Sequence, residues 1–341
     1  MAALGTSLVT LADVAKSKDK QIGKVAEVLV QENAMLNDIP YMVMNEGTVH
    51  KEDIRSGLPA VYYRKANQAI PASKSTTEER AFQAAHFESK SQMDEKVASR
   101  GGPDRVNYNR WNQAQGHIQS IAIEHANLVM YGSPLNSSLK VPGFMDVYST
   151  VNTATSEVAK QVIDAGGTGS DNTSMMLVHW GERSIFGVYP AGSQAGLKRT
   201  DRSMGGKLVP INALDSSGAA GTIWGYEEQF EVDHGLVVKD YRQGARICNI
   251  DVTFLKSGSG AADLIDLMIS AHYKIHTQEN GQGVWYVNRT IEAFLHKQSL
   301  TKVGAGAGLN YDNYQGKKCL MFLGKPVRRS DALLITESQV V

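Results

Sequence analysis

The sequence predicts an α+β fold built around one long helix, and three observations predict it. Residues 104–132 hold a helical period throughout. Ahead of them, residues 57–90 read as a long, polar hairpin. Behind them, short apolar strands and amphipathic helices are interspersed to the end of the chain.

The helix is the clearest element. Trp111, Ala114, Ile118, Ile121, Ala122, His125, Leu128 and Val129 recur at steps of three and four, which is one helix face. Asp104 follows Pro103 and is placed to act as N-cap, accepting from a free amide of the first turn. At about 1.5 Å per residue the rod is roughly 40 Å long. Gly116 weakens it by about 1 kcal/mol relative to Ala, so packing must hold it straight. Gly132 ends it and Pro134 prevents it from resuming. The expectation is a spine across a thin molecule rather than the core helix of an enzyme.

The chain has 341 residues, room for about two domains of usual size. Hydrophobic residues make up 42% and charged residues 21%, as in a folded soluble protein. Lys plus Arg equals Asp plus Glu at 35 each. That balance argues against a protein whose main task is gripping nucleic acid, and it eases self-association. Two cysteines, Cys248 and Cys319, provide no disulfide framework and suit a reducing cytoplasm. No signal-peptide pattern, membrane-length apolar run or repeat period is present.

Residues 1–50 read as an arm. A helix is expected over 20–33, with Ile22, Val25, Ala26, Val28 and Leu29 on its apolar side, then a turn to Pro40 and an extended stretch over 41–49. One helix and one strand make no core, so the arm must pack on its own body or on a neighbour. The hairpin is expected as a strand over 58–68, a tip over 70–75 and a return strand over 76–89. A two-stranded hairpin is marginal alone in water, and its open edges invite another chain. A flap over an active site is the competing reading. The hairpin's length and shortage of apolar residues favour a loop lying across an adjacent subunit.

Further on, residues 174–180 (SMMLVHW) and 186–190 read as strands, and 192–221 as a Gly- and Ser-rich stretch with basic points at Lys198, Arg199 and Arg202. A ribbon in three pieces is expected over 223–232, 236–239 and 245–255. Helices follow over 261–276 and 289–298, with strands at 284–288, 318–322 and 326–328.

Each candidate for chemistry has a competing role in packing. Lys256-Ser257-Gly258-Ser259-Gly260 lies between a strand and a helix, where a phosphate turn would sit, but Asp263 falls where the third glycine belongs. Gly304, Gly306 and Gly308 precede 309–312, read as a turn. His272 and His276 have a metal-compatible i, i+4 spacing without an evident third ligand, and read as a surface or packing pair. His125 reads as a packing histidine. No nucleophile elbow accompanies Asp233, His234 and Asp240. No catalytic, cofactor or metal residues are assigned, and no enzyme is expected. Arg55, Arg64, Lys65 and Lys74 near the hairpin face Glu78, Glu79 and Glu88 on its other strand, which suggests cross-strand or cross-subunit ion pairs.

Segments in a fixed order along the chain then match one family. They include 33–40, Arg55-Ser56-Gly57-Leu58-Pro59, Tyr63-Arg64 with Asn67-Gln68, and 73–77. Met130-Tyr131-Gly132 with Pro142-Gly143-Phe144, then 165–170, Trp180-Gly181 and 187–193 continue the match. Asp240-Tyr241-Arg242, 246–251, Val287-Asn288-Arg289, and 323–327 with Ser330-Asp331 complete it. The sequence resembles the major capsid proteins of tailed bacteriophages with the Hong-Kong-type capsid fold, and within them the family first named from epsilon-type short-tailed phages.

The resemblance implies an N-terminal arm (1–54), an extended E-loop hairpin (55–90), a peripheral domain (91–150 and 222–256) carrying the spine helix, and an axial domain (151–221 and 257–341). It implies self-assembly into hexamers and pentamers of an icosahedral head around double-stranded DNA, contacted non-specifically. Implied partners are further copies of the chain, a portal, a scaffold and a cement protein, in a virion assembled in the host cytoplasm, with no cofactor and no membrane. Arg55, Tyr63, Arg64, Lys74, Glu78 and Glu88 are the candidates for contacts between subunits. The alternatives are an enzyme with a hairpin lid, or another phage structural or DNA-binding component. Deleting residues 56–90 is expected to leave a folded body that no longer closes into shells.

Overall fold

The computed structural model describes residues 33–341 except 204–206, 216, 259–261, 279–280, 302–308 and 315–316. The arm helix expected over 20–33 lies outside the described residues up to Glu32, as do Gly304, Gly306 and Gly308 and the Ser259-Gly260 end of the candidate phosphate turn.

The fold is built on the strand Asn172–Trp180, buried at every position. Its unbroken apolar run from Met175 to Val178 is what a strand covered on both faces requires. It pairs antiparallel with Gly244–Asp251 and with Gln282–Val287. Lys325–Arg329 runs parallel to Gln282–Val287, and Lys317–Phe322 and Leu309–Tyr314 extend that edge. Residues 309–312, expected as a turn, therefore belong to a strand. Because side chains alternate between faces, Met176, Val178 and Trp180 enter one core with Ala126, Val129, Met130 and Phe144. Met175 and Leu177 enter a second with Leu264, Met268, Ile291, Leu295, Trp285 and Phe322.

The helices of the second core are capped by short polar side chains. Asp263 accepts from Asp266 N at 3.2 Å at the start of Leu264–Lys274. Asn288 Oδ1 accepts from Ile291 N at 2.8 Å at the start of Arg289–Thr301. The aspartate that spoiled the phosphate motif is thus a helix cap. Residues 252–255, expected as strand, instead form the helix Val252–Ser257, because Asp251 caps it and the ladder ends there.

One strand, Ala220–Val238, spans 19 residues and links this sheet to a second platform. Its end, Gly235–Val238, pairs with Ile185–Tyr189. Its middle, Gly225–His234, pairs with Ala85–Asp94, while Lys198–Asp201 and Val209–Leu214 take its other edge. The break expected at residues 233–235 does not occur. His234 points into the interior and is fully buried, while Asp233 is held by Ser193 and His86, so strand alternation continues through both.

The long helix runs Val106–Tyr131, 26 residues, roughly 39 Å. Its first half lies on the ribbon, where Ala114, Ile118 and Ile121 pack with Phe230, Val232 and Phe87. Its second half, Ala126 to Met130, enters the main core. Asp104 does not cap it. It lies in the 3-10 turn Pro103–Arg105, and the helix makes no side-chain cap bond at its start. Instead buried Asn109 donates to Ala98 O at 2.8 Å and ties the first turns to the helix Glu95–Ala98. Trp111, on the expected apolar face, is 46% exposed beneath the Arg199 guanidinium. At the far end the chain closes tightly: Gly143 N donates to Gly132 O at 2.7 Å. A Cβ on Gly132 would lie 2.3 Å from Val141 O, and one on Gly143 2.7 Å from Leu128 O, so both positions exclude side chains.

Candidate assembly surfaces

The hairpin is real but its register differs from the expectation. Val49–Gly57 pairs with Thr76–Gln83, and a register shift falls between Arg55 and Gly57. The stretch expected as a strand, residues 58–68, pairs with nothing among the described residues. Its tyrosines and valine have strand propensity, but no edge is within reach to supply hydrogen bonds. The expected return strand divides: Thr76–Gln83 stays in the hairpin, and Ala85–Asp94 joins the long ribbon strand.

Every residue from 58 to 81 is exposed. Leu58 is 80% exposed, Val61 89%, and Tyr63 completely. The loop is shaped by a few polar bonds. Ser73 Oγ donates to Ala60 O at 2.9 Å, Gln68 N to Lys65 O at 3.2 Å, and Ser56 Oγ to Thr76 Oγ1 at 3.2 Å. Asn67 turns the tip with φ of 65°.

The six candidate contact residues do not form one cluster. Arg55 stands opposite Thr77 in the ladder, and neither Arg55 nor Lys74 forms an ion pair among the described residues. Arg64 donates to Gln68 O at 3.4 Å within the tip. Glu78 lies 3.8 Å from Arg80 on its own strand. The cross-strand pair that does form is Lys51 with Glu79 at 3.4 Å. Glu88 sits apart on the ribbon, directly opposite Glu231, where it accepts from Gln229 and lies 3.8 Å from His86 Nε2. His86 in turn meets Asp233 at 2.7 Å, and that contact raises the His86 pKa. Glu231 is neutralised by Lys198 at 2.5 Å.

Both ends of the described chain are fastened to the body. Asn33 Oδ1 accepts from Ala332 N at 3.1 Å. Asp38 is held by Arg328 and accepts from Tyr286 Oη at 2.8 Å, while Tyr286 accepts from Trp180 Nε1 at 2.7 Å. Burial raises the Asp38 pKa against these contacts. Tyr41 Oη sits between His125 Nε2 at 3.1 Å and His234 Nδ1 at 3.0 Å, and burial pushes His125 down to about 4. His125 is therefore a buried packing residue. At the other end, Glu337 lies between Arg246 Nη2 at 3.0 Å, Ser174 Oγ at 2.5 Å and Tyr131 Oη at 2.5 Å, with Arg246 and Glu337 both buried. Nothing in the local sequence marks Glu337, because its partners lie far away in the chain.

The other candidate groups are structural. His272 Nδ1 lies 3.2 Å from Lys325 Nζ; burial of the ring, helped by the Lys325 charge, depresses the His272 pKa, and His276 is exposed. Burial pushes the Cys248 thiol up to about 12, which makes it a poor nucleophile.

A two-faced sheet core, a long helix lying across it and a ribbon, and an extended hairpin exposed throughout residues 58–81 define a shell-building class of subunit. The Bacteriophage JBD30 capsid has this fold, with a TM-score of 0.51 and 9% identity over 95% of this chain and 99% of that one. A chain in a structure of bacteriophage Epsilon15 is similar at 32% identity and a TM-score of 0.75, covering 100% of this chain and 99% of that one. Residues 17–341 match the family model described as Major capsid protein GP7, and the chain belongs to that family. It is a structural protein of a bacteriophage capsid, with the Hong-Kong-type fold expected from its sequence. No curated protein sequence matches it.

Proposed function

We propose that this chain assembles, without enzymatic activity, into the hexamers and pentamers of an icosahedral phage head that encloses double-stranded DNA. The observation that carries this reading is the loop at 58–81, exposed throughout and carrying Leu58, Val61, Tyr62, Tyr63 and Ile70. Apolar side chains on a projecting loop have no function in an isolated subunit, whereas burial against a neighbour would gain about 1.5–3 kcal/mol each. Arg55, Tyr63, Arg64, Lys74 and Glu78 are the contacts proposed on the hairpin, and Glu88 a contact from the ribbon beside it.

The arm and E-loop labels go to residues 1–54 and 55–90. Residues 91–150 and 222–256 form the proposed peripheral domain, and 151–221 with 257–341 the axial one. The pairing of Lys198–Asp201 and Val209–Leu214 with the long ribbon strand supports moving residues 198–214 to the peripheral side. A portal, a scaffold and a cement protein are the proposed partners, with DNA contacted through its charge rather than its sequence. Assembly is proposed to occur in the host cytoplasm. Among the described residues no helix is long and apolar enough to cross a membrane.

Size-exclusion chromatography and negative-stain microscopy of the full chain test this. Capsomers, closed shells or polymorphic sheets are expected. A small monodisperse oligomer that never forms shells would overturn the reading.

A further inference from the structure

Lys325, at the start of the strand Lys325–Arg329, is almost enclosed, with 9% of its surface exposed. A buried lysine is ordinarily paired with a carboxylate, because an isolated charge is costly to remove from water. Among the described residues no carboxylate pairs with this one, and burial alone pushes its pKa down to about 8. Its ammonium donates to neutral acceptors instead, Gln278 Oε1 at 2.5 Å and His272 Nδ1 at 3.2 Å. An ammonium carries three N–H donors, so one is left over.

His179 supplies the other half of the site. It lies on the buried strand Asn172–Trp180, directly opposite Gly283 in the ladder. Gly283 has no side chain to fill the space above it. A Cβ there would lie 2.6 Å from His179 Nε2 and 2.4 Å from Lys325 Cε, so the imidazole and the end of the lysine stem converge on one point. His179 is fully buried, and neither ring nitrogen has a hydrogen-bond partner among the described residues. Buried polar groups are normally satisfied, and one left unsatisfied is costly. Burial, helped by the charges of Lys325 and His272, pushes the His179 pKa down to about 4. The neutral ring still offers one N–H.

Lys325 and His179 thus share one need, an anionic acceptor. Gln278 marks where it enters. Its side chain is exposed, its amide oxygen sits against Lys325 as an anionic oxygen would, and its Nε2 donates to His272 O at 3.0 Å. The ligand has to be small, since His179 is enclosed. It also needs two oxygens, one to take the place of Gln278 Oε1 and one to reach towards His179, which a halide does not have. We propose that Lys325 and His179 bind a small inorganic oxyanion of the phosphate type, which displaces the Gln278 side chain, while His272 positions the lysine. The site lies within one chain, goes beyond the capsid reading and does not rest on it.

The test uses the full, unassembled chain in a buffer free of oxyanions, with inorganic phosphate as the probe and sodium chloride at matched ionic strength as the control. Lysines are labelled with a trace of acetic anhydride at about pH 7 and read one by one by mass spectrometry. Bound phosphate is expected to raise the Lys325 pKa to about 9 and to cut its labelling roughly tenfold, because only the free amine reacts, while the other lysines are unchanged. Melting temperature is the second readout. Phosphate strengthens folds in general, so the difference between variants is what counts. The parent should show a saturable rise that is missing from Lys325→Met. In Gln278→Ala, where no side chain has to be displaced, the same rise should come at several-fold lower phosphate. Unprotected Lys325 overturns the proposal, and so do parallel melting curves in the parent and Gln278→Ala; both readouts hold even if Lys325→Met does not fold. Glu279, which follows Gln278 in the sequence, lies outside the described residues. A phosphate effect that appears only in Glu279→Gln would mean that the chain supplies its own carboxylate, and it too overturns the proposal.

Discussion

Replacing residues 58–75 with a two-residue Asn-Gly turn separates the assembly role of the hairpin from its folding role. Gly57 and Thr76 are register partners, so the cut ends already lie side by side. Every excised residue is exposed, so the body loses no core. The monomer should change in stability by no more than about 0.5 kcal/mol, as for surface changes generally. Assembly should respond differently. Leu58, Val61 and Tyr63 are almost wholly exposed, and burying each would gain about 1.5–3 kcal/mol, or about 5–9 kcal/mol together. Ordering the loop and fixing the partners offsets much of this. A surviving net of about 2 kcal/mol per subunit would still shift each contact equilibrium about 30-fold. Over many contacts that shift suffices to abolish closed shells. Thermal unfolding of the monomer and negative-stain microscopy read the two effects separately. Shells that close at an unchanged threshold concentration would refute the reasoning. The larger deletion of residues 56–90 is a different experiment. It removes most of Ala85–Asp94, which pairs with Gly225–His234 of the ribbon, and it should unfold the body rather than leave it intact.

Other consequences can be checked on the same material. Gly116 lies exposed in the long helix, and a Cβ there would meet nothing within 4 Å, so Gly116→Ala should stabilise the monomer by about 1 kcal/mol and raise its melting temperature; a lower value would mean the helix is strained at that point. Glu337→Ala leaves the buried Arg246 guanidinium without its carboxylate and should cost about 3–5 kcal/mol in urea unfolding, whereas a loss below 1 kcal/mol, roughly that of a surface pair, would contradict the burial. His125 is held neutral, its pKa pushed down to about 4 by burial, against about 6.5 when unfolded. The unfolded chain therefore binds more protons between those values. The His125 contribution is complete above pH 6.5 and is lost as pH falls towards 4, a change of about 3 kcal/mol. Denaturation midpoints measured from pH 7 to 4.5 should fall less steeply in His125→Gln than in the parent chain, and parallel curves would reject the assignment.

Local pattern was legible where one element's burial decides its own sequence. Residues 174–180 could be read as a buried strand because both faces are covered, so after Ser174 no polar residue interrupts the run until His179. The long helix was legible from Trp111 to Val129 because one face repeats at helical spacing. The hairpin was legible as a projecting, polar feature, but its paired strands were misplaced. Strand propensity over 58–68 promised a partner that the monomer does not provide, and the ladder formed instead between Val49–Gly57 and Thr76–Gln83, whose sequences are polar and rich in charge. Charge pairing was equally hard to place, since register sets Lys51 against Glu79 and turns Glu78 towards Arg80.

By itself the sequence determined the class of fold, the long helix, the buried central strand and the membership of a capsid family, because periodicity and ordered short matches are local properties of the chain. Tertiary structure alone decided the 19-residue strand that links the two platforms, since Asp233 and His234 read as a break until Ser193, His86, Tyr41 and His125 surround them. It alone decided the Glu337–Arg246 anchor, whose partners are 91 residues apart. The physical reason is the same in both cases. A polar group is tolerated in the interior only when partners from distant segments satisfy it, and which segments meet is settled by the fold.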